Sequence, residues 1–207
     1  MSSDHTERLV DHWWPRPGWR PGRAGCTWYV TYEDAPALHA AVEEQHRRLR
    51  PLGGLDPIPV PWLHSTVQGV GWADEIPDEQ LSAGAAAVAE AVAELPAFET
   101  TFGRPLVRGE AVLMRPEDAD PWQRLWRTVR SALPGPFPET DVFRPHVSTA
   151  YANTDTDAGA HAAALDGQAT GPVAVRVGRI ALVRSERLLE PERQYRWTTV
   201  ATAVLGG

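Results

Sequence analysis

Two short segments of this chain share one pattern, in which a histidine is followed two positions later by a hydroxyl residue. They are WLHSTVQG (62–69), with His64 and Thr66, and RPHVSTAY (144–151), with His146 and Ser148. Both are rich in residues that favour β-strands. Since alternate side chains share a face of a strand, each histidine lies beside its hydroxyl residue. The fold must therefore hold two strands that each display an imidazole and a hydroxyl together.

The predicted elements around the two segments follow the same order. Strand, helix, loop, motif strand, helix and strand describe residues 26–103, and the same succession describes 109–184. No obvious sequence identity accompanies this repeat, which is architectural only. We therefore predict an α+β fold of two pseudo-symmetric αβ lobes, each with a mainly antiparallel sheet and helices on its outer face, around a central cleft.

The predicted organisation is an N-terminal arm over residues 1–24 and a single bilobal domain over 25–207. The lobes span about 25–106 and 107–207, and the final strands are candidates for sharing between them. The arm is rich in Pro, Gly, Arg and Trp, so we expect it to be extended and packed through its tryptophans. The predicted helices cover 34–50, with Asp34 as cap, 78–95, 118–133 and 155–165; the predicted strands cover 26–32, 62–70, 98–103, 109–116, 143–152, 172–185 and 194–204.

Composition excludes several classes of protein. No apolar run approaches the roughly 20 residues of a membrane span, and the polar start of the chain has no secretory h-region. A single cysteine, Cys26, fits a reducing cytoplasm. The net charge of −7 argues against a surface that coats nucleic acid broadly, so any phosphate ligand should be small or locally held. All 20 basic residues are arginine, which is typical of a GC-rich bacterial genome.

Chance alone could place a hydroxyl residue near some of the seven histidines. What gives the two pairs weight is their position, because both lie on predicted strands at matching places in the two lobes. If the sheets face each other across a cleft, two imidazoles and two hydroxyls converge there. The other histidines lack this setting, and we interpret His5, His12 and His161 as surface residues and His39 and His46 as part of a helix face rather than a metal site.

The paired motifs resemble those of the 2H phosphoesterase superfamily, which includes 2′-5′ RNA ligase-like proteins and cyclic nucleotide phosphodiesterases. HSTV matches the first signature and HVST the second. The resemblance covers about residues 25–204 and implies a bilobal fold, His64 and Thr66 from one lobe, and His146 and Ser148 from the other. It implies no cofactor and no metal, and a small phosphodiester or an RNA 3′ end as substrate for a cytoplasmic monomer.

The residue types suit this chemistry. An imidazole pair near its ordinary pKa of about 6.5 can supply one general base and one general acid, while hydroxyls donate to phosphoryl oxygens. Either histidine could be the base. As supporting substrate-binding residues we propose Arg144, which precedes His146 by two positions, and Tyr151, which stands where some relatives carry a basic residue. One of Trp28 and Tyr29 in the first strand is a candidate for base stacking, although core packing suits these residues better.

Two alternatives remain open. The same cleft could bind a nucleotide or a phosphorylated metabolite without turning it over, which the acidic net charge favours. It could also act on a non-RNA ester in a specialised pathway. Substrate choice should depend on the loops at 51–61 and 134–142 and on the N-terminal arm. The segment around Gly69 and Gly71 lacks the rest of a dinucleotide fingerprint, and we interpret it as a turn.

Overall fold

The computed structural model describes residues 5–134, 143–166 and 172–206. The predicted loop over 134–142 lies outside the described residues except for Pro134. The strands are β1 (Arg8–Leu9), β2 (Gly25–Thr31), β3 (Leu55–Pro57), β4 (His64–Trp72), β5 (Phe98–Phe102), β6 (Leu106–Arg108), β7 (Ala111–Met114), β8 (Val147–Ala152), β9 (Thr156–Asp157), β10 (Val173–Val177), β11 (Arg179–Leu188) and β12 (Gln194–Val204). The helices are α1 (Pro36–Leu49), α2 (Asp78–Ala93), α3 (Asp120–Ala132) and α4 (Gly159–Leu165).

Two four-stranded antiparallel sheets carry the two motif strands. The first has the order β12-β11-β2-β4 and the second β3-β8-β7-β6. A further antiparallel pair joins β10 to β5. This confirms the predicted α+β class with mainly antiparallel sheets. The two halves of the sequence interleave more than a boundary near residue 106 implies, because the C-terminal strands β11 and β12 complete the sheet of the first motif.

Alternation along β2 explains how the first sheet divides core from cleft. Trp28 and Val30 are buried in the main hydrophobic core, which also contains residues of all three longer helices. Tyr29 belongs instead to a small cluster on the other face, with Ala181 and Val183 of β11. Because successive side chains of a strand point to opposite faces of the sheet, one face of this sheet packs on the helices and the other faces the second motif.

The helices form where the apolar spacing predicts them, with different ends. Asp34 does not cap α1: the residue before the helix is Ala35, Pro36 occupies the first turn, and Asp34 instead accepts a hydrogen bond of 2.9 Å from Arg179. Proline suits this place because its missing N–H would have no partner in the first turn. In α3, the predicted stripe is buried through Trp122, Leu125 and Val129.

Three strand predictions need correction. The loop over 51–61 contains β3, which extends the second sheet by pairing with β8. The connection between β5 and β7 contains β6. The single strand over 172–185 is two strands, β10 and β11, which pair with different partners and separate at Gly178. The edge strands β3 and β6 have three residues each, too few to show a periodic pattern, and a continuous β-rich run does not show that β10 and β11 pair with different strands.

The N-terminal arm packs onto the body. Its strand β1 pairs with β9, and Leu9 is fully buried in the core of the second sheet. Trp13 is 5% exposed and joins the main core. Among the described residues, no helix is long and apolar enough to cross a membrane.

Candidate active site

The two motif strands lie against each other and are joined by a buried hydrogen-bond chain. Ser65 of β4 donates from Oγ to the backbone carbonyl of His146 at 2.6 Å. The Tyr32 hydroxyl lies 2.6 Å from Ser65 Oγ and donates to it, since the serine proton is already used. Tyr32 and Ser65 are both almost fully buried. This chain fixes the backbone of one motif against the other and brings both histidines to one cleft.

The two imidazoles are held in the same way. Nδ1 of His64 lies 2.9 Å from the carbonyl oxygen of Trp62, and Nδ1 of His146 lies 2.9 Å from that of Arg144. In each case the acceptor is two residues before the histidine. A carbonyl can only accept, so Nδ1 carries the proton and Nε2 is left for a ligand. Both histidines thus present the same nitrogen.

Aromatic rings fix the plane of His64. The ring of Tyr29 stacks on it with centroids 4.2 Å apart and planes 24° from parallel. Trp197 of β12 meets it edge-on at 5.1 Å. Burial lowers the pKa of His64 to about 4, the hydrogen bond to Trp62 opposes this, and the positive charge of nearby His146 lowers it further. His64 is therefore neutral near pH 7, as a general base must be.

The two hydroxyl residues lie in different environments. Thr66 is exposed and pairs across the sheet with Tyr29. Ser148 is 7% exposed, and its side chain lies beside that of Tyr151. Thr66 of the first motif is therefore open to solvent, whereas Ser148 of the second motif is buried beside a tyrosine.

Each motif strand carries a bulge directly after its hydroxyl residue. In β4 the pairing with β2 passes from Thr66 to Gln68. In β8 the pairing with β7 passes from Ser148 to Ala150. An extra residue shifts the alternation by one position. Tyr151 therefore shares the cleft face with Ser148, although strict alternation would put it on the other face.

The bulges also expose a difference between the lobes. Five positions after its histidine, the second motif places Tyr151 and the first places Gly69. A Cβ atom added at Gly69 would meet no neighbouring atom within 4 Å. The interpretation of this segment as a turn is wrong, because Gly69 and Gly71 lie within β4. The cleft is consequently filled on the side of β8 and open above β4.

The supporting residues proposed from the sequence divide three ways. Tyr29 and Tyr151 both lie at the cleft, beside His64 and Ser148 respectively. Arg144 is exposed and holds His146 through its carbonyl, and the reach of its guanidinium toward a ligand stays a prediction. Trp28 is completely buried on the opposite, helix-packed face of β2, so its proposed role in ligand stacking is corrected to one in the core.

Sequence reasoning missed His12. Its side chain is only 13% exposed, and its ring stacks on Tyr151 with centroids 4.0 Å apart, so it is not a surface residue. His161 is also buried, at 4% exposure, with Nε2 3.0 Å from the carbonyl of Gly53. The isolated position of His12 in a Pro-rich and Trp-rich arm carries no periodic signal, and only the path of the arm brings it to the cleft.

The predicted helix histidines serve the structure. Nε2 of His39 lies 2.6 Å from the carbonyl of Tyr32, and Nε2 of His46 lies 2.7 Å from that of Thr149. Within the described ranges, no group of three or more His, Cys, Asp or Glu residues is arranged to hold a metal ion.

A family profile described as the 2′-5′ RNA ligase superfamily matches residues 37–188, which is more than half of the chain. The chain belongs to the 2′-5′ RNA ligase superfamily. This confirms the resemblance to 2H phosphoesterases that the two motifs indicate. A search of curated proteins found no match.

Solved structures share the fold at low sequence identity. The TT0787 protein of Thermus thermophilus matches with a TM-score of 0.64 and 21% identity over 88% of this chain and 98% of its own. Escherichia coli LigT complexed with 3′-AMP matches with a TM-score of 0.61 and 16% identity over 88% and 98%. LigT complexed with ATP matches with a TM-score of 0.58 and 18% identity over 89% and 99%.

Proposed function

We propose that this superfamily member is a phosphodiesterase that hydrolyses 2′,3′-cyclic phosphates or 2′-5′ phosphodiester bonds of RNA ends or small nucleotides. The observation that supports this most is the equivalent anchoring of His64 and His146, each with Nδ1 bound to a carbonyl and Nε2 left for a ligand, on strands joined through Ser65. In-line displacement at phosphorus is assisted by a general base for the attacking oxygen and a general acid for the leaving oxygen. Two such nitrogens can supply both.

In the proposed reaction His64 is the general base. Its lowered pKa keeps it neutral, so Nε2 takes a proton from the attacking water as the new P–O bond forms. Protonated His146 gives the Nε2 proton to the leaving sugar oxygen as the old P–O bond breaks. Each transfer contributes on the order of 10²–10⁴ in rate. Thr66 and Ser148 donate to the non-bridging oxygens as charge builds on them. One histidine accepts the proton of the attacking water and the other donates a proton to the leaving oxygen, so we propose that no metal ion is needed.

Room for the rest of a substrate lies next to His64. A crevice lined by His64, Tyr151 and Tyr195 shares Asp56 and Arg193 with an adjoining cavity of about 680 Å³. This volume is in the range of small-ligand sites. We propose that a nucleoside occupies the cavity while its phosphate faces His64. The lining mixes acidic and basic side chains, which suits a small nucleotide better than a long RNA strand.

Turnover of 2′,3′-cyclic mononucleotides and 2′-5′ dinucleotides in the presence of a chelator tests the proposal. His64→Ala and His146→Ala should each lose at least 10²-fold in kcat. His39→Ala is the matched control, because it also removes a partly buried imidazole bound to a carbonyl, but from α1. Full activity in either motif variant, or loss of wild-type activity with the chelator, would contradict the proposed mechanism.

A binding role without turnover is the second candidate. The burial of Ser148 beside Tyr151 favours it, because a hydroxyl residue that is only 7% exposed has to be uncovered before it can hold a phosphoryl oxygen. Calorimetry with 3′-AMP, combined with product analysis after prolonged incubation, separates the two. Tight binding with no product would establish the binding role in place of the enzyme.

A further inference from the structure

The N-terminal arm delivers a third imidazole to the cleft. The ring of His12 stacks on Tyr151 with planes 14° from parallel. Its Nε2 lies 3.0 Å from the hydroxyl oxygen of Tyr195, and its Nδ1 lies 3.0 Å from Oε2 of Glu110. One residue of the arm thus contacts β8, β12 and the residue just before β7. The residues matched by the family profile begin at residue 37 and so do not include the arm.

The direction of these hydrogen bonds follows from Glu110. Burial acts to raise the pKa of this carboxyl group, but hydrogen bonds from Trp14 and Arg16 outweigh it, so its pKa is lowered and it is ionised. Arg16 donates to it at 2.5 Å. An ionised carboxylate only accepts, so Nδ1 of His12 carries the proton. Its Nε2 must then accept, and the Tyr195 hydroxyl donates to it.

His12 remains neutral in this setting. Burial lowers its pKa to about 4; the negative charge of Glu110 opposes this, and the positive charges of Arg16 and Arg187 act with burial. A neutral imidazole with both nitrogens engaged has one orientation. The ring of His12 therefore offers a fixed surface to the ring of Tyr151 that stacks on it.

A buried arginine holds the arm in this position. Arg187 of β11 is 6% exposed, and its Nη2 donates to the carbonyls of His12 at 3.3 Å and Trp14 at 3.0 Å. Its guanidinium lies over the ring of Trp13, 5.3 Å from the centroid. Arginine suits this role because its planar fork bonds two carbonyls and stacks on aromatic rings at once. These contacts with Arg187 thus fix the backbone around His12.

The contacts of His12 lead to the motif residues in two steps. Tyr151, on which it stacks, lies beside Ser148. Tyr195, which donates to it, lines the crevice of His64 and lies 5.6 Å from Tyr151 between ring centroids. A shift of either tyrosine would change what borders Ser148 or His64.

Resting on the proposed function, we propose that His12 is a positioning residue of the cleft. Held between Glu110 and Tyr195, it orients Tyr195 by hydrogen bonding and Tyr151 by stacking, and it thereby fixes the two rings that border Ser148 and His64. His12 itself touches no reacting atom. The arm is thereby part of the site rather than an appendage to the fold.

Kinetics of His12→Ala in the full chain test this role. Loosening the two tyrosines beside Ser148 and His64 should lower kcat roughly tenfold and change KM much less, because the proposed roles of these two residues are exerted as the phosphate reacts. Tyr195→Phe should lower kcat in the same direction, and the double variant should lose less than the product of the two losses, since both act through one contact. His161→Ala is the control, because it removes a buried imidazole from α4 and should leave kcat unchanged.

The aromatic NMR signals of Tyr151 and Tyr195 measure the positioning without turnover. They should shift in His12→Ala and not in His161→Ala. Unchanged kcat together with unchanged tyrosine signals would overturn the role of His12 while leaving the proposed function intact. If the wild type turns over no substrate, the proposed function fails, and the tyrosine signals alone decide for or against positioning. If His12→Ala does not fold, Tyr195→Phe must show the loss of kcat, and wild-type kcat in that variant overturns the proposal.

Discussion

The link between the two motif strands can be tested by removing one oxygen. Ser65→Ala deletes the donor to the carbonyl of His146 and also the acceptor of the Tyr32 hydroxyl. Both groups are buried, and a buried polar group left without its partner costs about 1–3 kcal/mol. We expect Ser65→Ala to lower the free energy of unfolding by roughly 2–4 kcal/mol, since two groups are stranded and a small hydroxyl is the only volume lost.

Tyr32→Phe distinguishes the effect of the Ser65–His146 hydrogen bond from the effect of the Tyr32 hydroxyl. It removes the tyrosine hydroxyl but leaves Ser65 donating to His146, so the loss should be only about 1 kcal/mol. Urea denaturation gives both values, with an unchanged m-value as the check that the unfolding transition is the same. Turnover should fall strongly in Ser65→Ala, because small misplacement of a catalytic group can cost up to about 10²-fold. Equal stability and activity of the two variants would refute a link through Ser65.

Three further predictions concern the motif residues. The folded pKa of His64 is about 4, below its ordinary 6.5, so below pH 6.5 the unfolded chain binds a proton that the folded chain does not. The free energy of unfolding should fall between pH 6.5 and 4, by at most roughly 3 kcal/mol from this group, and His64→Ala should flatten that slope in urea titrations at several pH values. Trp197→Ala should admit water and raise the pKa of His64 in an NMR titration, and an unmoved titration would contradict shielding by this ring. Thr66→Ala and Ser148→Ala should each lower kcat by about 10- to 100-fold in the turnover assay, whereas Thr66→Ser, which keeps the hydroxyl, should stay near the wild type.

The general architecture could be predicted because it depends on periodic patterns. Apolar spacing identified the four helices of the described residues, and β-rich runs identified the longer strands. The pairing of the strands was harder to predict from the sequence, because it joins residues that are far apart in the chain. The β3 strand shows this, since three residues in a Pro-rich and Gly-rich loop become a strand only by pairing with β8. The helix start at Pro36 shows that an available cap, Asp34, is not always used.

The candidate site was predictable to the extent that its residues repeat. His64 and His146 stood out by their matching positions, and the structure gives them matching anchors on the carbonyls two residues before. The role of Ser65 could not be predicted, since a serine among buried residues does not reveal its partner. His12 was beyond sequence reasoning, because its place depends on the path of the arm over Arg187.

The bulges at the two motifs explain how a symmetric arrangement supports two different roles. A bulge after each hydroxyl residue keeps each histidine and its hydroxyl on the cleft face and brings the fifth position after each histidine to the same face. In β4 that position is Gly69, which leaves open space, and in β8 it is Tyr151, which covers Ser148 and receives the stacked ring of His12. The same backbone device therefore leaves Thr66 exposed and Ser148 buried. Because the two histidines keep equivalent anchors on the carbonyls two residues before them, the asymmetry of the cleft lies in the side chains around the proposed phosphate site rather than in how its imidazoles are held.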